Sequence, residues 1–336
     1  MGNDERLPKV SVIMTVYNQE GTLAASLDSA LAQMTNFPFE IELADDCSTD
    51  STPEICRRYA ERYPGRIRLT LNAKNLGIPR NYFETLRRCR APYIADLAGD
   101  DLWTDPHKLA RQAAILDAEP DVTLVHTAWK YLHGDTGLTS PTPFTGNEPW
   151  LAPRIDGRTL IAPMLSVHNA MAVHSCTAMF RKDTFLKAYA EDSELFDTDE
   201  YRCEDLQLLS SLAYAGTVAY IPDVTLSYRV GSAGQITSTS DFRRAYRFNF
   251  GTLRLRLRLQ LKYGIVSEAI TSKIRTLCDY TVGLAFLGTD REALAEMRDF
   301  IRENRLKVST PTRFKLFLGS HPTMLRAVRR LVGSKA

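Results

Sequence analysis

The chain reads as an α/β protein: a mostly parallel sheet flanked by helices, with an α-helical extension at its C-terminal end. Three observations predict this. Short β-branched or apolar runs alternate with amphipathic segments through the first 126 residues, the rhythm of a parallel sheet wound by right-handed crossovers. Polar or acidic turns follow four of those runs, on the edge where open sheets of this kind place their ligands. Beyond Asp241 the strand pattern stops and only helical periodicity remains.

The run at 10–16, VSVIMTV, is a β-branched strand. A helix follows over 21–33, with Leu23, Leu27, Ala30 and Leu31 at helical spacing. The second strand is 39–44, and the second helix runs from Ser51, its cap, to about Tyr63, with Pro53 in the first turn. A third strand at 67–71 and a third helix at 79–89 precede a buried strand at 93–97. The next helix, 106–118, has Asp105 as cap and Pro106 as first helical residue, and leads to a strand at 122–126. From 133 to 157 the chain is rich in Gly, Pro, Thr and Ser, the composition of a lid or insertion. Order resumes at 175–180, then a helix near 183–190, a helix starting near Glu204, and two strands at 218–221 and 225–228. Four helices complete the chain, at roughly 241–262, 266–287, 290–304 and 311–332.

With 44% hydrophobic and 24% charged residues, the chain has enough apolar content for two domains, expected at 1–240 and 241–336. The net charge of +2 hides an asymmetry. Residues 1–240 carry 22 Lys and Arg against 32 Asp and Glu; residues 241–336 carry 20 against 8. An acidic body with a basic tail points to a tail that meets phosphate, in lipid head groups or in nucleic acid. The six cysteines show no metal-site spacing and read as reduced thiols of a cytoplasmic protein. No stretch of about 18 apolar residues predicts a spanning helix, and the polar N-terminus is not expected to act as a secretory signal.

The densest chemistry lies in 98–106, AGDDLWTDP. Asp100 and Asp101 stand side by side after the strand at 93–97. Two carboxylates in a tight turn repel each other unless a cation or a proton intervenes. Asp105 accounts for the helix cap, which leaves Asp100 and Asp101 to a divalent metal that takes carboxylate and diphosphate oxygens together. Three other turns share that edge: Thr15-Val16-Tyr17-Asn18, Asp45-Asp46-Cys47-Ser48-Thr49-Asp50, and Asn75-Leu76-Gly77 with Arg80-Asn81. Alone, each has a bland reading: a capped turn at Asp45-Asp46, packing for Tyr17, a solvated cation for Arg80. Their shared position argues for one ligand-binding edge.

As a set these motifs resemble those of the family 2 glycosyltransferases, which have the GT-A fold. The strand at 10–16 with Tyr17-Asn18 looks like their first strand, and 45–50 matches their acidic turn, usually written DDGSTD. Asn75-Leu76-Gly77 with Arg80-Asn81 matches their NxG…RN segment, and 99–106 is similar to the GDDYWTDP form of their metal motif. Cys203-Glu204-Asp205 resembles their late ED motif, and Tyr228-Arg229-Val230 the YR that follows it. The resemblance covers roughly residues 9 to 240. It implies an inverting, metal-dependent transfer of a sugar from a UDP- or dTDP-linked donor to the hydroxyl of a glycan or polyprenyl-linked acceptor, in cell-surface polysaccharide assembly at the inner face of the membrane.

It also implies roles. Thr15 and Tyr17 hold the base, Tyr17 by stacking. Asp45 and Asp46 accept hydrogen bonds from base or ribose, and Arg80 reaches the nucleotide or its diphosphate. Asp101, helped by Asp100, binds Mn²⁺ or Mg²⁺ against the nucleotide. Asp205 is the general base, with Glu204 beside it. Two positions depart from the family: Cys47 replaces a glycine, and Ala98 stands where many members carry another acid.

The chemistry agrees with these roles. A leaving diphosphate needs its charge neutralised, and an acceptor hydroxyl needs a carboxylate on the face opposite the leaving group. Glu204 equally suits a first-turn acid favoured by the helix dipole, a reading weaker for Asp205. His174, with His168 nearby, marks either a place where an acceptor docks or a structural histidine. Arg229 either closes over the diphosphate or pairs with a surface acid. The basic, apolar segment at 313–331 has the spacing of an interfacial membrane helix, and equally of a helix packed on the catalytic domain. Two other classes fit less well. A nucleotidyltransferase usually carries a glycine-rich loop and a lysine after its first strand, where this chain has TVYNQEG. A nucleic-acid module would interleave exposed aromatics with its basic residues, whereas Phe314 and Phe317 read as one apolar face, so no nucleic-acid partner is expected.

Overall fold

The structure is a computed structural model that describes residues 7–134, 136–167, 171–231 and 241–321. Contacts within the chain divide it into two compact units, Met1–Ala233 and Gly234–Ala336.

The first unit opens with β1 (Val10–Val16), α1 (Leu23–Leu31), β2 (Phe39–Asp45), α2 (Thr52–Arg62), β3 (Ile67–Leu71), α3 (Ile78–Arg88) and β4 (Tyr93–Asp96). It continues with β5 (Leu102–Trp103), α4 (Lys108–Ala118), β6 (Val122–His133), β7 (Thr139–Pro141), β8 (Arg154–Asp156) and α5 (Arg158–Ser166). Last come β9 (Met179–Arg181), α6 (Lys182–Glu191), α7 (Asp205–Tyr214) and β10 (Thr217–Val230). The strands form one sheet in the order β3-β2-β1-β4-β9-β6-β10-β5, with β7 on β6 and β8 on β10. Four pairings are parallel and carry most of the paired length: β3–β2, β2–β1, β1–β4 and β6–β10. The short β9 runs antiparallel to both β4 and β6 and splices the two parallel halves.

Both faces of the sheet are covered, so β1 and β2 are buried at every position but Thr15. One face packs Val10, Val12, Met14 and Val16 with Leu23 and Leu27 of α1 and Leu109 and Ala113 of α4. Val16 stands opposite Asp45 and Ile13 opposite Asp96. The turns after β1, β2, β3 and β4 therefore leave one common edge.

Several elements differ from the sequence expectation for identifiable reasons. The two strands expected at 218–221 and 225–228 are one strand, β10. Its register slips between Ile221 and Val224, around Pro222, which cannot donate to a ladder and sits in a bulge. The strand at 122–126 continues to His133, and the 133–157 segment contains β7 and β8 pinned to its neighbours. Helix α5 lies where no element was expected. It begins at Gly157, where a side chain would sit 2.0 Å from the Ala213 carbonyl oxygen, so the helix start needs glycine. Helix α4 begins at Lys108, two residues beyond Pro106; the Asp105 carboxylate accepts the His107 N–H at 2.8 Å, forming a turn ahead of the helix. At α2, Ser51 makes no side-chain cap bond; Asp50 accepts the Thr52 N–H at 2.9 Å instead.

The second unit consists of α8 (Phe242–Tyr263), α9 (Glu268–Leu287), α10 (Arg291–Glu303) and α11 (Thr310–Ser320). Each starts with a side chain accepting from the first turn: Asp241, Ser267, Asp290 and Ser309. The alternating RLRLRL at 254–259 is helical, with Leu255 and Leu259 buried and the chain leaving through left-handed Gly264. Ile270, Ile274, Cys278, Val282, Leu294 and Met297 are also buried. The last expected helix, 311–332, is seen to Ser320; 322–336 lie outside the described residues. No helix among the described residues is long and apolar enough to cross a membrane.

Candidate active site

The edge after β1, β2 and β3 is braced by the acidic turn. Asp45 is 1% exposed and accepts from the Ser48 N–H at 3.1 Å and the Ser48 hydroxyl at 2.5 Å. Asp46 accepts from Asn72 at 3.0 Å, the Leu76 N–H at 2.8 Å and the Gly77 N–H at 2.9 Å. Both carboxylates thus brace the loops of this edge, and the Ser48 bonds to Asp45 are those of a structured turn, one of the two readings the sequence offers. Cys47, which replaces a glycine, keeps a glycine-like conformation, with φ of 61°. Asn18, also left-handed, locks the first turn to the second by donating to the Ser48 oxygen and accepting from the Thr49 N–H. Tyr17, 45% exposed, stands free at this rim. Thr15 lies half-buried below it, and Arg80 projects from the first turn of α3 with no ion pair among the described residues.

The metal motif forms the turn between β4 and β5. Gly99 sits so close to β1 that a side chain there would meet Val16 at 2.6 Å and Gln19 at 2.3 Å. Asp101 is 1% exposed. One of its oxygens accepts the Arg229 N–H at 2.9 Å, so it has a structural bond after all. The other, Oδ2, is buried with no N–H or O–H partner, the Cys176 thiol lying beside the carboxylate. Burial, then the adjacent Asp100, pushes the Asp101 carboxyl well above the usual carboxylate range. The Arg229 guanidinium donates to the Asp100 carbonyl at 2.9 Å, so Arg229 stitches this turn to the end of β10.

An oxygen of Asp101, a nitrogen of His174 and the Cys176 sulfur lie within 4.8 Å of one another. His174 is buried between the rings of Trp129 and Tyr228, close to Asp101. Its Nδ1 accepts the Cys176 N–H at 3.2 Å, which places the ring proton on Nε2. Burial drops its pKa to about 3, so it is neutral. Metal ligation through either nitrogen would cost that bond or that proton. The better ligands for Mn²⁺ or Mg²⁺ are the carboxylates of Asp101, with its orphaned oxygen, and Asp100, a hard oxygen set. His168 lies outside the described residues.

Behind this turn the structure gathers three acids from two elements. Asp96 ends β4, fully enclosed; Glu204 and Asp205 open α7. Burial, together with the charge of Asp205, lifts the Asp96 carboxyl to about 7, against a 3.1 Å hydrogen bond from the Tyr82 hydroxyl. Glu204 keeps part of its surface open, yet desolvation, then Asp205, then Asp96, pushes it well above the carboxylate range. Asp205 accepts the Leu206 N–H at 2.7 Å. The sequence reading missed Asp96, although an acid inside the apolar run 93–97 was the available signal. It marks 175–177 for acceptor docking without giving Cys176 a role, and it missed Lys108, which is 1% exposed. The Lys108 ammonium donates to Gln112 at 2.7 Å and lies 4.4 Å from the Trp103 ring; burial lowers its pKa to about 7.

The sequence profile of Glycosyl transferase family 2 matches residues 11–185. The chain belongs to this family. A putative glycosyltransferase, EpsE, of Bacillus subtilis is 41% identical over 120 residues, 36% of this chain and 42% of that protein. Matches of this kind span only about two fifths of the curated relatives' length. A crystal structure of Staphylococcus aureus TarS 1-349 in complex with UDP-GlcNAc superposes with a TM-score of 0.59 at 17% identity, covering 96% of this chain and 92% of that one. A mannosyltransferase from Pyrobaculum calidifontis, in complex with GDP-Man and Mn²⁺, gives 0.53 at 18% identity, covering 97% and 88%. At such identities the likeness establishes the family 2 fold.

Proposed function

We propose that the chain transfers a sugar, with inversion, from a nucleotide-diphosphate donor to a hydroxyl of a glycan or lipid-linked acceptor, with a divalent metal bound at Asp101 and Asp100. The observation that carries this reading is the orphaned, buried Asp101 oxygen on the same sheet edge as the exposed Tyr17 and the acid cluster. Bound there, Mn²⁺ or Mg²⁺ would neutralise the charge of the leaving diphosphate. Tyr17 offers a ring face to the base, with Thr15 below it, and Arg80 an unpaired cation. The walls built by Asp45 and Asp46 keep that cleft in shape and leave their remaining lone pairs for base or ribose.

Of the three acids behind the metal turn, Asp96 and Glu204 are held toward their protonated forms. Asp205 stands in the first turn of α7 beside both, placed to take the acceptor's proton. Asp205 is our choice of base, and Glu204 its proton-holding neighbour. UDP is the first donor nucleotide to try, since TarS was crystallised with UDP-GlcNAc. The acceptor pathway we assign is cell-surface polysaccharide assembly on the cytoplasmic side. The test is titration calorimetry of UDP and of GDP, with and without Mn²⁺, on wild type and Asp101→Ala. Metal-dependent binding that disappears in the variant supports the site; binding indifferent to metal and to Asp101 overturns it.

A further inference from the structure

A second cavity, of about 440 Å³, lies in the same unit under the 139–151 segment. This is at the small end of the roughly 300–1,000 Å³ range of ligand sites, room for one or two sugar rings. Its wall includes His126, Ala128 and Lys130 from β6 and Tyr220 from β10, roofed by Phe144 and Ser140. Alternation along β6 puts His126, Ala128 and Lys130 on the face opposite Trp129 and Tyr131. Thr127 and Trp129 line the cavity as well, and Trp129 packs against His174 and Tyr228 of the candidate active site, so the cavity adjoins that site through Trp129.

We infer that this cavity binds a saccharide unit carrying one negative charge, a carboxylate or a phosphate, as part of an extended acceptor. Three features select that ligand. The Tyr220 ring, paired with His126 at 4.9 Å, and Phe144 give aromatic surface of the kind that packs on the apolar face of a sugar ring. Fully buried His126 has no hydrogen-bond partner for Nε2, a polar group at the wall still able to pair. Lys130 is the only charged residue of the lining, and its ammonium has no ion pair or hydrogen bond among the described residues. The nearby acids are engaged elsewhere: Glu148 accepts the N–H groups of Thr145 at 2.8 Å and Gly146 at 2.9 Å, and Asp223 pairs with Arg111. A half-buried cation without a counter-charge, in a pocket without an acid, complements an anion.

Calling the ligand an acceptor rests on the glycosyltransferase reading; its binding does not, and is measured without turnover. The probes are a glucuronate-containing tetrasaccharide, a neutral tetrasaccharide of the same length, a glycerol phosphate trimer and inorganic phosphate. Affinities come from ligand-observed NMR and calorimetry on the full chain. At least one charged probe is expected to bind tenfold or more tighter than the neutral one, and the stronger of the two names the charge source. Lys130→Gln should bring charged and neutral probes to equal affinity, and Ala128→Leu, which fills the cavity, should weaken both; UDP affinity should stay unchanged in each variant. Equal binding of charged and neutral probes by wild type, an indifferent Lys130→Gln, inorganic phosphate binding as well as the saccharides, or displacement by UDP would each overturn the inference. Failure of UDP to bind with metal would overturn the proposed function and leave this site standing.

Discussion

Replacing Asp96 with asparagine should change how stability depends on pH. Asp96 is buried, with a carboxyl lifted to about 7, against roughly 3.9 for the unfolded chain. Between those values the folded protein binds a proton that the unfolded chain has lost, so stability falls as pH rises. The loss is absent below about pH 4, complete above about pH 7, and totals about 4 kcal/mol at 1.36 kcal/mol per pH unit. Between pH 5 and pH 8 the share is about 3 kcal/mol. Asp96→Asn keeps the shape and cannot ionise. The variant should therefore gain about 3 kcal/mol on wild type over that interval, whatever its stability at pH 5. Urea unfolding of the metal-free protein in chelator, at several pH values, measures it. Parallel stability curves for the two proteins would show that Asp96 is ionised in the fold at pH 5, and that Tyr82 and Lys108 outweigh its burial.

Asp205→Asn should leave UDP affinity within twofold and cut turnover a hundredfold or more, while Glu204→Gln loses less; the reverse ranking in steady-state kinetics would transfer the role of base to Glu204. Asp46→Ala frees three donors on the 72–77 loop and should cost about 2–3 kcal/mol, with faster hydrogen exchange at Leu76 and Gly77. Gly157→Ala cannot be accommodated against the Ala213 carbonyl and should destabilise the first unit by about 1–3 kcal/mol in thermal unfolding. Phe314 and Phe317 are 57% and 50% exposed on α11, so Phe314→Ser with Phe317→Ser should weaken co-sedimentation with anionic vesicles at low salt. Full-length protein that never leaves the supernatant would instead make this helix a packing element.

The parallel half of the sheet was legible because each strand there is a short β-branched or apolar run closed by a polar turn. The four helices after Asp241 were legible because their caps and periodicity agree. What sequence reasoning could not see depended on tertiary pairing. The three residues of β9 become a strand only because β4 and β6 leave a gap for them, and Pro222 hid the continuity of β10. At the candidate site, Asp100, Asp101, Glu204 and Asp205 stand out in the sequence by motif and position. Asp96 and Lys108 were not, because the significance of a buried charge lies in its neighbours, which come from distant segments. Asp45 and Asp46 show the converse: their motif was plain, but their hydrogen bonds to Ser48, Asn72 and the 76–77 backbone appear only once β2 and β3 are paired.

The parallel pairing of β6 with β10 has a consequence for how such a domain can change. The chain leaves β6 at His133 and returns at Thr217 beside the same strand, so everything between is a detour from one seam. Within the detour, β7, β8 and β9 are fixed by their partner strands, and Leu195, Phe196 and Tyr201 are buried, but residues 142–148 are half-buried or exposed and belong to no strand. Specificity could therefore be exchanged by swapping residues 142–148 between relatives, while the seam and the donor edge keep their register. A chimera built at those joints should inherit its acceptor from the graft and its nucleotide from the host.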